Sequence, residues 1–346
     1  MALRETITAN PLDGHLPRAP SPAKLATAFA AVYILWGSTF LAIRFAVATI
    51  PPFFMAGMRH LLAGVILYPL ARLRSGEAPS RANWYAAFIL GALLLVAGNG
   101  AVSWAEQTVP SGVAALLVAT VSLWMVVLEW LRPGGMRPTA GVIVGLTLGF
   151  VGMIFLVGPA NLLGGLSSGS RVNPAGAGVL LAGSLCWAAG SVFSRHLHLP
   201  KHPLLGAAMQ CLAGGALLYA LGFASGEASH MAWQKISLRS ALAVGYLVVF
   251  GSLLGFSAYS WLLRAAPPSR LATYAYVNPV VAMFLGWAVA GERITARTLL
   301  SAAVILTAVV LVIAARQHAT AVTPAKEAPG SEPFAESPLS PEDAQV

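Results

Sequence analysis

Apolar runs of about twenty residues follow one another along most of this chain, each closed by a short connection carrying proline, glycine or charge. They fall at roughly 25–47, 53–71, 84–105, 111–131, 139–158, 175–195, 203–223, 240–263, 269–290 and 297–315. That length spans the hydrocarbon core of a bilayer as an α-helix. A spanning segment has no water to satisfy its backbone, so it must be helical or part of a closed barrel. The alternating apolar and polar positions of a membrane barrel are absent. The pattern predicts an all-α membrane protein with ten transmembrane helices.

Composition agrees: 57% of residues are hydrophobic and 10% charged, against about 25% charged in ordinary soluble domains. The net charge of +9 points first to nucleic acid, but its distribution excludes that partner. Arg4, Arg18, Lys24, Arg72, Arg74, Arg81, Arg132, Arg137, Arg195, Lys201, Arg264, Arg270, Arg316 and Lys326 fall on one side of the predicted spans. The other side holds Arg171, Lys235, Arg239, Arg293 and Arg297. This bias is the positive-inside rule, with both termini cytoplasmic. The stretch 1–24 reads as a polar tail without a cleavable signal, and 316–346 as a disordered tail. Cys186 and Cys211 lie within helices and read as small packed hydrophobes.

Sliding the chain along itself shows a repeat. At an offset of 151, Trp36, Arg44, Pro52, Leu61 and Gly64 meet Trp187, Arg195, Pro203, Leu212 and Gly215. At an offset of 157, Gly98 and Trp104 meet Gly255 and Trp261, and at 158 Pro110 meets Pro268. The order is kept and the offset drifts only through loop lengths. The chain therefore divides into helices one to five (25–158), a Gly/Ser-rich linker (159–174) and helices six to ten (175–315). Five helices are an odd number, so the second copy enters the membrane from the opposite side. Two inverted five-helix repeats are an architecture of secondary transporters.

Within the spans, polar and aromatic residues stand where an inert anchor would carry none. Trp36 lies roughly 16 Å along its helix, too deep for an interfacial belt. Ser38 and Thr39 follow it, and Trp187 is its counterpart. Asn99 sits between glycines, and Asn278 precedes Pro279, which removes a backbone donor in mid-membrane. With Tyr259 and Tyr274 these residues make a candidate aromatic-walled binding site with a few hydrogen-bonding groups. Close helix packing is the competing reading for the small polar residues. Arg59 falls roughly 10 Å into the core, where a charge faces a cavity or a partner. Glu106 is the candidate partner, as an ion pair or as part of a gate. Arg44, roughly 28 Å along its helix, is expected to snorkel to the headgroups, with a gate or substrate role as the alternative. Gly141, Gly145 and Gly149 share a face of the fifth helix, suited to contact within a monomer or to a homodimer.

The chemistry excluded is equally informative. Asp occurs only at positions 13 and 343, so no aspartyl protease is built here, and no mid-membrane carboxylate offers itself as a proton carrier. No metalloprotease, nucleotide-binding or nucleophile-elbow motif is found. His196, His198 and His202 lack acidic partners, and neither a metal nor another cofactor is expected. An enzyme is not expected.

"WGSTFLAIRFAV" from Trp36 and "YAYVNPVVAMFLGWAVAGERIT" from Tyr274, set in two five-helix halves, resemble the drug/metabolite transporter superfamily, specifically its EamA-type ten-helix exporters. The resemblance spans about 25–315. It implies export of amino acids, metabolites or toxic compounds across a bacterial inner membrane, through a central cavity. Carried over, Trp36, Ser38, Thr39, Asn99, Trp187, Tyr274 and Asn278 would line that cavity. Gly291 and Glu292 would form a structural corner, unmatched in the first half, where Gly134 stands opposite Glu292. A membrane-embedded sensor or a lipid-modifying enzyme are the alternatives.

Overall fold

The computed structural model describes residues 21–133, 137–157, 172–266 and 273–322. Among these the chain is helical, without strand. Ten spans follow in order: α1 (Pro22–Ala46), α2 (Pro52–Ser75), α3 (Arg81–Ala105), α4 (Ser111–Leu131), α5 (Ala140–Val157), α6 (Pro174–Phe193), α7 (Pro203–Ala224), α8 (from Leu238 to Ala265), α9 (Tyr274–Ala290) and α10 (Ala296–Val322). Every one but α9 has a stretch long and apolar enough to cross a membrane.

Local chemistry sets their starts. Pro22, Pro52, Pro174 and Pro203 each open a helix, where the missing N–H costs nothing. Ser21, Ser80 and Asn173 accept from first-turn amides, and Ser80 with Asn83 closes a reciprocal capping box. A less visible device sets three helix ends. Gly76, Gly226 and Gly291 adopt positive φ, and the glutamate after each caps a helix elsewhere. Glu77 accepts from Lys201 and His202 N–H at the start of α7 (3.0 and 3.2 Å). Glu227 accepts from Phe53 and Phe54 N–H at the start of α2. Glu292 accepts from Ser111 and Gly112 N–H at the start of α4 (2.8 and 3.3 Å). Each carboxylate meets unpaired amides and the positive end of a helix dipole.

The packing carries the repeat. α1 packs on α8 and α9, and α6 packs on their equivalents α3 and α4. At the centre α2 lies along α7: a side chain at Gly64 would fall 2.8 Å from Leu212 Cγ, and one at Gly215 2.8 Å from Leu61 Cγ. These are the residues that the 151-residue offset pairs, so the contact is its own image. At the opposite end α5 packs on α10. Gly141 faces Ala315, Gly145 faces Val312 and Ala308, and Gly149 faces Leu123 and Ala308. This small-residue face is filled within the chain, so a dimer through it would have to displace α10.

One sequence boundary shifts. α10 runs on to Val322, into the stretch read as tail, because Ala, Arg and Gln favour helix and the first proline comes only at Pro324. The described part of α9 begins at Tyr274, and the expected start at 269 falls in 267–272, which lie outside the described residues. So do most of the 159–174 linker, Gly134 and most of the two tails.

Candidate functional site

α3 and α8 are where the regular helix gives way. Gly91–Gly100 and Leu247–Leu254 are π-helical, and an offset of 157 superimposes much of the first on the second. Wide turns of this kind concentrate at functional sites. Each carries a Trp-on-glycine contact at or just past its C-terminal end. Trp36 of α1 lies on Gly255, whose Cβ would sit 2.5 Å from the indole Nε1. Trp187 of α6 lies on Gly98, at 2.6 Å from Cε3. Only glycine lets a helix approach an indole so closely. Trp36 and Trp187 thus perform the same packing role in opposite halves.

Around Trp36 the symmetry ends. Tyr259 of α8 and Tyr274 of α9 stand 4.9 and 5.4 Å from it, ring centre to ring centre, and Phe256 stands at 6.1 Å. Tyr259 and Tyr274 meet edge to face at 6.0 Å. Tyr33, one turn earlier on α1, hydrogen-bonds Thr273 at the start of α9. At the repeat-equivalent positions stand Val102 and Leu116, so Trp187 has no such aromatic company. The structure joins Trp36, Tyr259 and Tyr274 and leaves Trp187 apart, against Gly98.

A polar group adjoins the aromatics through Gly251. Its carbonyl accepts from Trp36 Nε1 (3.2 Å), and its Cα side faces the Thr39 methyl and Arg59 Nη2. Arg59, buried, donates from Nε to Ser252 Oγ (3.1 Å) and from Nη1 to Asn99 Oδ1 (3.4 Å). Both π-helical stretches therefore contribute a ligand to one guanidinium. His60, fully buried, stands beside Arg59 and Asn99. Ser38 meets the Tyr246 hydroxyl at 2.7 Å, and Thr39 donates to the Trp36 carbonyl. On the other flank of α1, Asn278 is buried with Oδ1 unpartnered. Its backbone carbonyl lies 3.2 Å from where a Gly37 Cβ would be.

Two expectations need correction. The expected Arg59–Glu106 ion pair does not form within 4 Å, because Arg59 is turned toward Ser252 and Asn99. Arg44 does not snorkel outward. Its Nε meets Glu292 Oε1 at 3.2 Å, and its Nη1 donates to the Glu106 and Val109 carbonyls. At that depth a carboxylate and two helix-end carbonyls outcompete headgroups. At the opposite end of the bundle Arg195, its repeat partner, pairs with Glu129 at 3.1 Å.

Sequence reading missed His60, Tyr246, Gly251, Ser252 and Phe256. Gly251 and Ser252 stand eight and seven residues before the recognised Tyr259 in the same span, with no local signal that a π-helical stretch would turn both toward Arg59. The pairing of Arg44 with Glu292 was not legible, because the two residues lie in different halves of the chain. Of the His cluster, His196 bonds Arg132 at 3.0 Å. No group of metal-ligating side chains occurs among the described residues.

Ten spans in two packed halves, with aromatic and polar side chains gathered between α1, α2, α3, α8 and α9, define a polytopic membrane protein. The EamA-like transporter family matches twice, at residues 24–158 and 174–314. The chain belongs to that family, within the drug/metabolite transporters, and is a multi-pass inner-membrane transporter. It is 41% identical to the inner membrane transporter YedA of Escherichia coli over 283 residues, covering 82% of this chain and 88% of that one. It is 24% identical to the transporter YvbV of Bacillus subtilis, covering 84% and 91%. A crystal structure sharing 20% identity superposes with a TM-score of 0.57, over 86% of this chain and all of the other.

Proposed function

We propose that this transporter is a secondary carrier that exports a small metabolite, amino acid or drug-like compound by alternating access, with both termini cytoplasmic and the single chain as the working unit. The observation that carries the reading is the pair of repeat-related π-helical stretches converging on Arg59. Groups from both halves hold one residue, so rocking one half against the other rebuilds the site rather than sliding past it. Trp36, Tyr259 and Tyr274 offer ring faces to a planar or cationic part of the substrate. Arg59, Asn99, Ser38, Thr39 and Asn278 supply the polar contacts, and Arg59 favours a substrate that also bears an anionic or strongly accepting group. The substrate changes the balance of conformations only by binding them unequally.

Counterflow in proteoliposomes tests this. Purified protein is loaded with single unlabelled amino acids or a cationic dye and challenged with the labelled compound. Saturable exchange is expected, reduced about tenfold or more by Asn278→Ala and by Arg59→Gln, the loss of one good polar contact. Exchange that neither variant changes would place the site elsewhere.

A further inference from the structure

Glu106 is 1% exposed, and both of its carboxyl oxygens are buried without a hydrogen-bond partner. It sits just past the end of α3, at the end of the bundle that holds Arg44 and Glu292. An ionised carboxylate deprived of water and of donors is among the costliest groups a protein can bury. Its surroundings make the vacancy of donors more telling. Arg44 Nη1 donates to the backbone carbonyl of Glu106 itself at 3.3 Å, so the guanidinium already lies against this residue. It nevertheless gives Nε to Glu292 and Nη1 to two neutral carbonyls. Charge-assisted bonds are about twice as strong as neutral ones. A guanidinium would not pass over an adjacent carboxylate for a carbonyl of the same residue. The charged groups facing Glu106 are Arg44 from α1, Arg59 from α2, with His60 next to it, and Glu292 from the α9–α10 connection. Arg44 and Glu292 neutralise one another, and Arg59 is occupied by Ser252 and Asn99.

We propose that Glu106 is a proton-binding site: it carries its proton in the conformation described, and releasing that proton to the water at this end of the bundle draws Arg44 from Glu292 to Glu106. Glu292 keeps its bonds to Ser111 and Gly112 N–H, so it tolerates the loss. Arg44 on α1 and Glu292 beyond α9 are then uncoupled, and these two helices pack together beside the site. Proton release thereby loosens this end of the bundle. The consequence for flux rests on the carrier reading above, whereas the protonation does not.

The test is infrared difference spectroscopy of the full-length protein in lipid nanodiscs, titrated with pH, which needs no substrate. The wild type is expected to show the stretch of a protonated, unbonded carboxyl group that disappears as pH rises, and Glu106→Gln is expected to lack it. Should Glu106→Gln misfold, Glu292→Gln provides the second reading. It keeps the band and moves its midpoint to lower pH, because Arg44 is then free to favour the ionised Glu106. A carboxyl region identical in wild type and Glu106→Gln, or a midpoint that Glu292→Gln leaves in place, overturns the proposal. In proteoliposomes Glu106→Gln should also flatten the pH dependence of counterflow. The band without any counterflow would uphold the proton site and tell against the carrier reading.

Discussion

At the scale of single residues, this protein answers helix ends with distant carboxylates. Glu227 takes the first amides of α2 and Glu292 those of α4. Losing a helix cap costs about 1 kcal/mol, and a charged one at a helix N-terminus somewhat more. Glu227→Ala should therefore lower the melting temperature in detergent by a few degrees, while Glu227→Gln, which can still accept, should lower it less. Equal loss in both variants would show that the charge rather than the hydrogen bonds matters. Arg59 belongs to the same scale. Arg59→Lys keeps the charge but loses the planar fork that spans Ser252 and Asn99. Counterflow should fall nearly as far as in Arg59→Gln, and a fully active lysine variant would mean that charge alone suffices.

At the scale of elements, the decisive contacts are glycines under indoles. An alanine at Gly98 would place its Cβ 2.6 Å from the Trp187 ring, whereas Gly178, on the helix that carries Trp187, has nothing within 4 Å. Overpacking of this kind costs about 1–3 kcal/mol. Gly98→Ala should lower the melting temperature clearly, and Gly178→Ala should leave it within about a degree or raise it. The elements themselves were legible in sequence because lipid imposes length and hydrophobicity on every span. Trp36, Gly64, Gly98 and their partners betrayed the repeat because each occupies a close contact that both halves need. The π-helical turns were not legible. They depend on one extra residue per turn being accommodated by neighbours, and nothing local distinguishes "LVVFGSLL" from ordinary helix. For the same reason Ser252 escaped notice while Tyr259 did not. Arg44 was misjudged because depth alone was considered, and the carboxylate that holds it is 248 residues away in sequence.

At the scale of the whole molecule, two ion pairs lie at opposite ends of the bundle: Arg44–Glu292 at one and Arg195–Glu129 at the other. Their arginines are repeat partners. Between them lies the site, held by α1, α2, α3, α8 and α9. A carrier needs the two ends to open in turn, so weakening one pair should bias the resting conformation toward that side. The Arg195 side of the Arg195–Glu129 pair is solvent-exposed, so the pair contributes little to stability by itself.

Accessibility of the site from both faces tests this account most directly. A single cysteine at Ser38, in protein whose Cys186 and Cys211 are replaced by alanine, would be challenged with a membrane-impermeant maleimide in right-side-out and inside-out vesicles. Alternating access predicts labelling from both sides, with Arg44→Gln speeding it from one face and Arg195→Gln from the other. Labelling confined to a single face in all three proteins would contradict a carrier whose site lies between the two halves.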